Sequence, residues 1–199
     1  MRMIPIIILA AGKSTRMKEN KLLRKVNGAT LIEQVVGNAI RSNADGTIVV
    51  LGYEAEKMRQ KLSRFDCKRV VNDRYDVGQS ESVKIGLSMV EKDSEAVMIL
   101  PADVALIDPP CINKVIVEYR NSMARIVVAS YQGQSGHPVL IDRSLFPEVS
   151  KIGEDTFGLK AVIDHHRDEV RYVDTGTEKV LVDIDTDEDF RRYFEEAKE

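Results

Sequence analysis

An unbroken apolar run near the start of the chain constrains its fold more than any other segment. Residues 4–11 read IPIIILAA, and a glycine and several cations follow: Gly12, Lys13, Arg16, Lys18 and Lys21. Large β-branched residues without polar alternation predict a strand buried on both faces, which is typical of a parallel sheet. A glycine lets backbone N–H groups approach a ligand, and cations neutralise an anion. We interpret the segment as a strand followed by a polyphosphate-binding loop.

Two common phosphate-binding motifs are incomplete here. Residues 12–15, GKST, match the end of a Walker A loop, but that motif needs a glycine at the position of Ile7. The dinucleotide fingerprint GxGxxG is absent as well. A solvated basic turn is the plain alternative. The loop nevertheless follows a buried strand directly, where open α/β sheets bind ligands, and this position favours a functional loop outside the P-loop class.

Strand and helix patterns alternate over the first two thirds of the chain. Further apolar runs predict strands at Thr47–Leu51, Arg69–Val71, Ala96–Leu100 and Ile126–Ala129. Apolar stripes between them predict helices at Thr30–Ile40, Glu81–Val90 and Ile112–Tyr119, the first with a capping box of Thr30 and Glu33. This alternation predicts an α/β fold of three layers, with a mostly parallel twisted sheet and helices on both faces.

The last third has a less regular pattern. Short apolar segments predict strands at His137–Ile141, Val170–Val173 and Val180–Val182. Helices are predicted at Thr156–Ile163 and after Thr186, where Phe190, Tyr193 and Phe194 share a stripe. We find no linker or repeat and expect one domain over residues 1–199, with an insertion over about residues 130–180.

Composition and charge exclude several classes of protein. The 199 residues are 43% hydrophobic and 31% charged, which suits a globular domain with a sizeable core. The net charge of −3 argues against nucleic-acid binding by bulk charge. No apolar stretch approaches the roughly 20 residues that span a bilayer, and we expect a cytoplasmic protein. Cys67 and Cys111 lack the spacing of a metal site. We interpret His165-His166 as the end of a helix rather than as a pair of metal ligands.

The order of residues 9–23 is similar to the LAAGxSxRMGxxKxLL signature of the MobA-like NTP transferase family. The resemblance is greatest to its molybdenum cofactor cytidylyltransferases, and it implies a Rossmann-like fold of the nucleotide-diphospho-sugar transferase type. Lys18 and Arg24 depart from the signature, where the family usually has glycine and proline. The matching residues are Leu9, Ala10, Ala11, Gly12, Ser14, Arg16, Met17, Lys21, Leu22 and Leu23.

Two acidic segments are candidates for a Mg²⁺ site, because Mg²⁺ prefers oxygen ligands. Asp103 follows a predicted strand, where a turn aspartate is the alternative. The resemblance favours a ligand, since the family has a GDMP or GDQP sequence there, although only the acid is retained. Residues 183–190 resemble the family's DIDTPEDL segment. We expect Asp185 to be the second ligand and Asp183, on the same side of a strand, to support or replace it.

The resemblance also assigns residues to the nucleotide and to the acceptor, the molecule that receives the nucleotidyl group. Residues 78–87 resemble a family loop that contacts the base and ribose of the nucleotide. In this chain Gly78 and Ser82 would make those contacts, although Ser80 could be a simple N-cap. Backbone groups of Leu9, Ala10 and Ala11 would take the other edge of the base. Residues 135–138 resemble the family's rGHP motif, so His137 would contact the acceptor. Residues 153–160 loosely resemble its GDxGAR segment.

The implied activity is Mg²⁺-dependent transfer of a nucleoside monophosphate from an NTP to a phosphomonoester, with release of pyrophosphate. Ala11 favours CTP, and the family favours molybdopterin as acceptor and a molybdoenzyme or its chaperone as partner. Arg16 would bind the leaving phosphates, Lys21 the α-phosphoryl group and Lys13 the β- and γ-phosphates, with Asp103 catalytic through the metal. GTP, a sugar or alcohol phosphate acceptor, and a non-catalytic nucleotide-binding delivery protein are the alternatives.

Overall fold

A computed structural model describes residues 3–17 and 19–195 of the chain, so Lys18 lies outside the described residues. Over these residues the chain forms a seven-stranded sheet in the order β5-β4-β1-β6-β8-β7-β9 and a small hairpin of β2 and β3. The strands are β1 (Ile6–Ala10), β2 (Lys25–Val26), β3 (Ala29–Thr30), β4 (Thr47–Leu51), β5 (Lys68–Val71), β6 (Ala96–Pro101), β7 (Ile126–Tyr131), β8 (Gln134–Asp142) and β9 (Val170–Asp174).

The sheet is mostly parallel, as predicted. Parallel pairs join β1 to β4 and β6, β4 to β5, and β7 to β9, whereas β8 runs antiparallel to both of its neighbours. The chain leaves β1 toward β4 and β5 on one side and returns to β6 on the other side. Such a reversal of strand order opens a crevice at the carboxyl ends of β1 and β6, where ligands bind in open α/β sheets.

Helices cover both faces of the sheet and complete the three predicted layers. Ile6 and Ile8 pack into one apolar core with α1, α2, α4 and α7, while Ile7 and Leu9 pack into the other with α3, α5 and α6. This division follows from the strand geometry, because successive side chains point to opposite faces. The helices are α1 (Leu31–Ile40), α2 (Ala55–Lys61), α3 (Gln79–Ser88), α4 (Pro109–Ser122), α5 (Phe146–Val149), α6 (Gly158–His165) and α7 (Asp187–Phe194).

The segment around Val180–Val182 is not the strand that its apolar pattern predicts. It forms a 3-10 helix at Glu178–Leu181 and then continues outside the sheet through residues 182–185. This segment crosses β8 so closely that a Cβ on Gly136 would lie 2.1 Å from the Val180 carbonyl oxygen. The Ile184 N–H instead donates to the Asp103 carbonyl at 2.9 Å. The strand geometry assumed for Asp183 and Asp185 is therefore wrong.

Other differences are smaller. The sequence reasoning missed α2, and α6 begins at Gly158, two residues later than expected. The predicted helix starts at Thr30 and Thr186 are confirmed, with Glu33 accepting hydrogen bonds from Thr30 and Asp189 from Thr186. Among the described residues, every helix is too short or too polar to cross a bilayer.

Candidate functional site

The loop after β1 folds back on itself and positions Lys21. Ser14 takes the left-handed conformation with φ 53°, and its carbonyl accepts the Met17 N–H at 2.9 Å. Its hydroxyl oxygen accepts the Lys21 N–H at 3.2 Å. Asn20 caps a 3-10 helix at Lys21–Leu23 by accepting the Leu22 N–H at 3.1 Å. Local hydrogen bonds thus fix the backbone from which the Lys21 side chain extends.

Lys21 connects two carboxylates that are far apart in the sequence. Its Nζ lies 2.9 Å from Asp103 Oδ2 and 2.8 Å from Asp185 Oδ1. Arg16 Nη2 lies 2.9 Å from Asp185 Oδ2. Asp103 lies two residues past the carboxyl end of β6, and the Ile184 N–H bond to its carbonyl holds the Asp185 segment beside it. The structure thus brings together four of the residues that the sequence analysis assigned to the phosphates and the metal.

The charges in this cluster shift the pKa values of its members. Burial by itself lowers the pKa of Lys21, but Asp103 and Asp185 outweigh that effect and raise it, so the ammonium group stays charged. Burial raises the pKa of Asp183, and the negative charges of Asp103 and Asp185 raise it further. Asp183 therefore lies within the negative electrostatic field of the two carboxylates that bind Lys21.

The donor set of the cluster fits Mg²⁺. Asp103 and Asp185 supply carboxylate oxygens within reach of a single Lys21 nitrogen, and one or two such carboxylates are the usual protein contribution to a Mg²⁺–nucleotide site. Among the described residues, no group donates a hydrogen bond to Asp103 Oδ1. That oxygen is therefore available as a ligand without breaking a contact.

A cavity of about 190 Å³ opens beside this ion cluster. A Cβ built on Gly12 would meet no atom within 4 Å, so the backbone there faces open space. Ala11 lies behind the cavity wall, where its carbonyl accepts the Tyr53 N–H at 3.0 Å. The cavity is lined by Leu9, Ala10, Gly12, Ser14, Thr15, Arg16, Lys21, Leu22, Asp103 and Asp185.

Lys13 lies outside that cavity. Its Nζ is 5.4 Å from the centre of the Tyr75 ring, and its side chain lines a neighbouring cavity with Tyr53 and Glu54. The structure therefore does not bring Lys13 to the ion cluster, and its contact with phosphates remains a prediction.

The predicted base-binding loop has an unexpected neighbour. Gly78 is the N-cap of α3, so the alternative in which Ser80 is the N-cap is wrong. The Ser80 N–H donates to Glu154 Oε1 at 2.7 Å, and a Cβ on Gly78 would lie 2.3 Å from the Glu154 carboxyl carbon. Ser82 is buried, and its hydroxyl oxygen accepts a hydrogen bond from Asn72 at 2.9 Å. The nucleotide contacts of Gly78 and Ser82 stay predictions.

His137, which the sequence predicts to contact the acceptor, stands between two cavities. Both cavities are lined by His137 and Lys160. Leu9 lines one of them and also the cavity beside the ion cluster, while Asp183 lines the other. Burial lowers the pKa of His137, and the negative charge of Asp103 offsets only part of this decrease. The imidazole is therefore neutral near pH 7. Its buried Nδ1 has no hydrogen-bond partner among the described residues.

Sequence reasoning missed three residues that shape the site. Asn72 holds the loop before α3 through Ser82 and the Arg74 N–H, and Glu154 covers the start of that helix. A Cβ on Gly52 would lie 2.7 Å from Ala11 Cβ, so the glycine after β4 lets two loops pack closely. Only Gly52 had a visible signal, as a glycine directly after a predicted strand.

A mostly parallel sheet with a basic loop and a pair of carboxylates at its switch point defines an α/β nucleotidyltransferase fold of the nucleotide-diphospho-sugar transferase type. Residues 6–170 match the family described as "MobA-like NTP transferase domain", and the chain belongs to that family. The family expected from the sequence is therefore confirmed.

Known proteins are similar to this chain in sequence or in fold. The "Bifunctional protein GlmU" of Synechococcus sp. (strain RCC307) is 30% identical over 128 residues, which are 63% of this chain and 28% of that protein. The chain thus spans less than a third of that curated relative. The structure of Rv0371c from Mycobacterium tuberculosis H37Rv has a TM-score of 0.86 at 24% identity and 98% coverage of both chains. Its complex with manganese has a TM-score of 0.79 at 23% identity, covering 97% of this chain and 98% of that one.

Proposed function

We propose that this protein transfers a nucleoside monophosphate from an NTP to a phosphomonoester acceptor and releases pyrophosphate. The observation that carries this proposal is the pairing of Lys21 with both Asp103 and Asp185 beside the loop at Gly12. Residues 1–199 would act as one cytoplasmic nucleotidyltransferase domain, with the acceptor side formed by about residues 130–180.

The chain's own residues supply binding and charge neutralisation. Arg16, whose side chain is 68% exposed, is free to swing from Asp185 to the leaving phosphates and grip them with its planar set of donors. Lys21, anchored by backbone hydrogen bonds, would neutralise the charge that develops on the α-phosphoryl group. Positioning and electrostatics of this kind are the main contributions of proteins to phosphoryl chemistry.

The acceptor needs no general base in this scheme. A phosphomonoester has its second pKa near ~6, so its oxygen is ionised near neutral pH and ready to attack. His137 would orient the acceptor through its neutral ring, and Lys160, which lines both cavities beside it, would neutralise the acceptor phosphate.

Asp103 and Asp185 would hold a divalent ion, and Asp183 would support them. When bound, Mg²⁺ would neutralise charge on the phosphate oxygens of the nucleotide. The manganese complex of Rv0371c supports divalent-metal use within this fold. Lys21 and Arg16, which pair with these carboxylates, would then be released toward the phosphates.

We propose CTP as the nucleotide and molybdopterin as the acceptor. The support is the LAAG sequence ending at Gly12 and the chain's membership of the MobA-like family. Backbone groups of Leu9 and Ala10, which line the cavity, would contact the base together with Ala11, Gly78 and Ser82. A molybdoenzyme or its chaperone would receive the product.

The test compares Lys21→Ala with Lys68→Ala in a pyrophosphate-release assay with CTP, Mg²⁺ and acceptor. Lys68 is a matched control because it pairs with Glu91 and lies at the first position of β5, away from the carboxyl edge. Loss of a preorganised charge should lower kcat about 10²-fold or more in Lys21→Ala. A kcat within a few-fold of wild type in both variants would refute the role of Lys21. Tight NTP binding without pyrophosphate from the wild type would instead identify a delivery protein.

A further inference from the structure

A cluster of two histidines and a glutamate lies at the other end of the strands from the nucleotide cavity. Glu148 of α5, His165 at the end of α6 and the following residue His166 offer ligand atoms that all lie within 4.8 Å of one another. Arg125 and Glu169, which directly precede β7 and β9, contact this group. The group therefore lies at the amino ends of the strands, about 20 Å from the carboxyl edge for strands of six residues.

The ligand atoms of this group lie slightly closer together than a tetrahedral ion requires. Glu148 Oε2 lies 2.7 Å from His166 Nε2, and Glu148 Oε1 lies 3.2 Å from His165 Nδ1. Ligands placed ~2.1 Å from a tetrahedral zinc ion are ~3.4 Å apart, so both observed separations are shorter than the required value and the ligand atoms would move apart by less than about 1 Å. His165 has a side chain that is 75% exposed and can turn, so only small side-chain shifts are needed.

His166 has the surroundings of a metal-binding histidine. Its Nε2 points at Glu148, while its Nδ1 lies 2.9 Å from Glu169 Oε1. Arg125 in turn holds both oxygens of Glu169, at 2.9 and 3.1 Å. This chain of contacts reproduces the carboxylate–histidine–metal arrangement, in which a fixed carboxylate orients the ring and selects the nitrogen that binds the ion.

The charge of the group also favours a cation. When a metal ion takes the place of the ring protons, the carboxylates of Glu148 and Glu169 and the guanidinium of Arg125 leave one net negative charge to balance the ion. Two histidine nitrogens and a carboxylate are a ligand set that suits Zn²⁺ better than Mg²⁺, which prefers oxygen ligands alone. The nucleotide cluster has the opposite preference, because its carboxylates bring no histidine.

We propose that Glu148, His165 and His166 bind a divalent transition-metal ion of the zinc class, with Glu169 as a positioning residue and water completing the coordination. The ion would tie α5 to the end of α6. Because α6 carries Lys160 and Ile163, which line the cavities beside His137, a bound ion would also stabilise that acceptor wall.

The test is a titration of the metal-free full-length chain with Zn²⁺ by calorimetry, repeated with Co²⁺ by absorption. The wild type should bind one equivalent at this site and show a higher Tm with Zn²⁺, because ligands of the folded state stabilise it. His166→Ala and Glu148→Gln should bind at least about tenfold more weakly. Glu169→Gln keeps all three ligands, but its zinc affinity should fall about 10- to 100-fold because the carboxylate that orients His166 is lost.

Two controls separate this site from others. His137→Ala removes the third histidine of the chain, and Asp103→Asn alters the nucleotide cluster, so both should keep the zinc affinity of the wild type. His165→Gln changes an exposed side chain, which keeps the test valid if a variant of the partly buried His166 is unstable. Zinc affinity that is unchanged in folded His165→Gln and Glu169→Gln, or no zinc binding by the wild type, would overturn the proposal.

Discussion

Replacing Lys21 by methionine separates the two consequences of its position between Asp103 and Asp185. The variant keeps an unbranched side chain but removes the positive charge. The two carboxylate oxygens lie 2.9 and 2.8 Å from Nζ, so they are less than about 6 Å apart. Two unit charges at that distance repel each other by about 1–3 kcal/mol for effective dielectric constants between about 80 and 20.

This repulsion predicts opposite effects on metal binding and on catalysis. Without nucleotide, Mg²⁺ no longer competes with the Lys21 ammonium group, so its affinity for Lys21→Met should rise by the same 1–3 kcal/mol, about 5- to 150-fold. At the same time kcat should fall about 10²-fold or more. Lys68→Met should change neither quantity, because Lys68 pairs with Glu91 elsewhere.

Calorimetric or thermal-shift titration with Mg²⁺ measures the first effect, and pyrophosphate release measures the second. Mg²⁺ is the suitable ion because its preference for oxygen ligands keeps it from the histidine group at the other edge of the sheet. The double variant Lys21→Met/Asp185→Asn should lose the gain in Mg²⁺ affinity. If Lys21→Met binds Mg²⁺ no better than wild type, the two aspartates are not a shared metal site.

Two further predictions concern Gly12 and Asp108. Gly12→Ala should leave Tm unchanged, because its Cβ meets no atom within 4 Å, but should weaken NTP binding at least tenfold (~1.4 kcal/mol). Gly86→Ala is the control: its Cβ would lie 2.5 Å from Ile7 Cγ2, so overpacking of about 1–3 kcal/mol should lower Tm while NTP affinity is kept. Scanning fluorimetry with and without CTP checks both variants, and equal NTP affinities would contradict a close approach of the phosphates to Gly12. Burial raises the pKa of Asp108, but hydrogen bonds from Lys179 and Cys111 outweigh burial and hold the pKa below its ordinary value of 3.8. The stability that Asp108 contributes is therefore present above pH 3.8 and is lost as the pH falls through the lowered pKa. Asp108→Ala should therefore cost about 1–2 kcal/mol in urea unfolding at pH 7 and progressively less below pH 3.8, and a pH-independent difference would contradict this.

The parts of the fold that sequence reasoning predicted are those governed by local pattern. The unbroken run of β1 indicated a strand buried on both faces, and the parallel sheet then placed Asp103 and the Gly12 loop at one edge. That inference needed only the rule that the carboxyl ends of parallel strands meet. The Lys21–Asp103 ion pair is its structural outcome, although the two residues are 82 positions apart.

The parts that were missed depend on how distant segments pack. Val180–Val182 has apolar residues suited to a strand, but the segment crosses β8 at Gly136 and finds no strand to pair with. The contact of Glu154 with α3 and the group around His166 depend on the paths of loops. Neither leaves a periodic signal in the sequence, because each joins residues from separate elements.

The product of the reaction tests the central proposal most directly. The wild type is incubated with Mg²⁺, a phosphorylated acceptor and each of the four NTPs, and pyrophosphate and inorganic phosphate are measured together with the modified acceptor. We expect pyrophosphate and nucleotidylated acceptor in equal amounts, most with CTP, and neither product with Asp103→Asn or Asp185→Asn. Release of inorganic phosphate, or pyrophosphate yields unchanged in both aspartate variants, would contradict nucleotidyl transfer at this site.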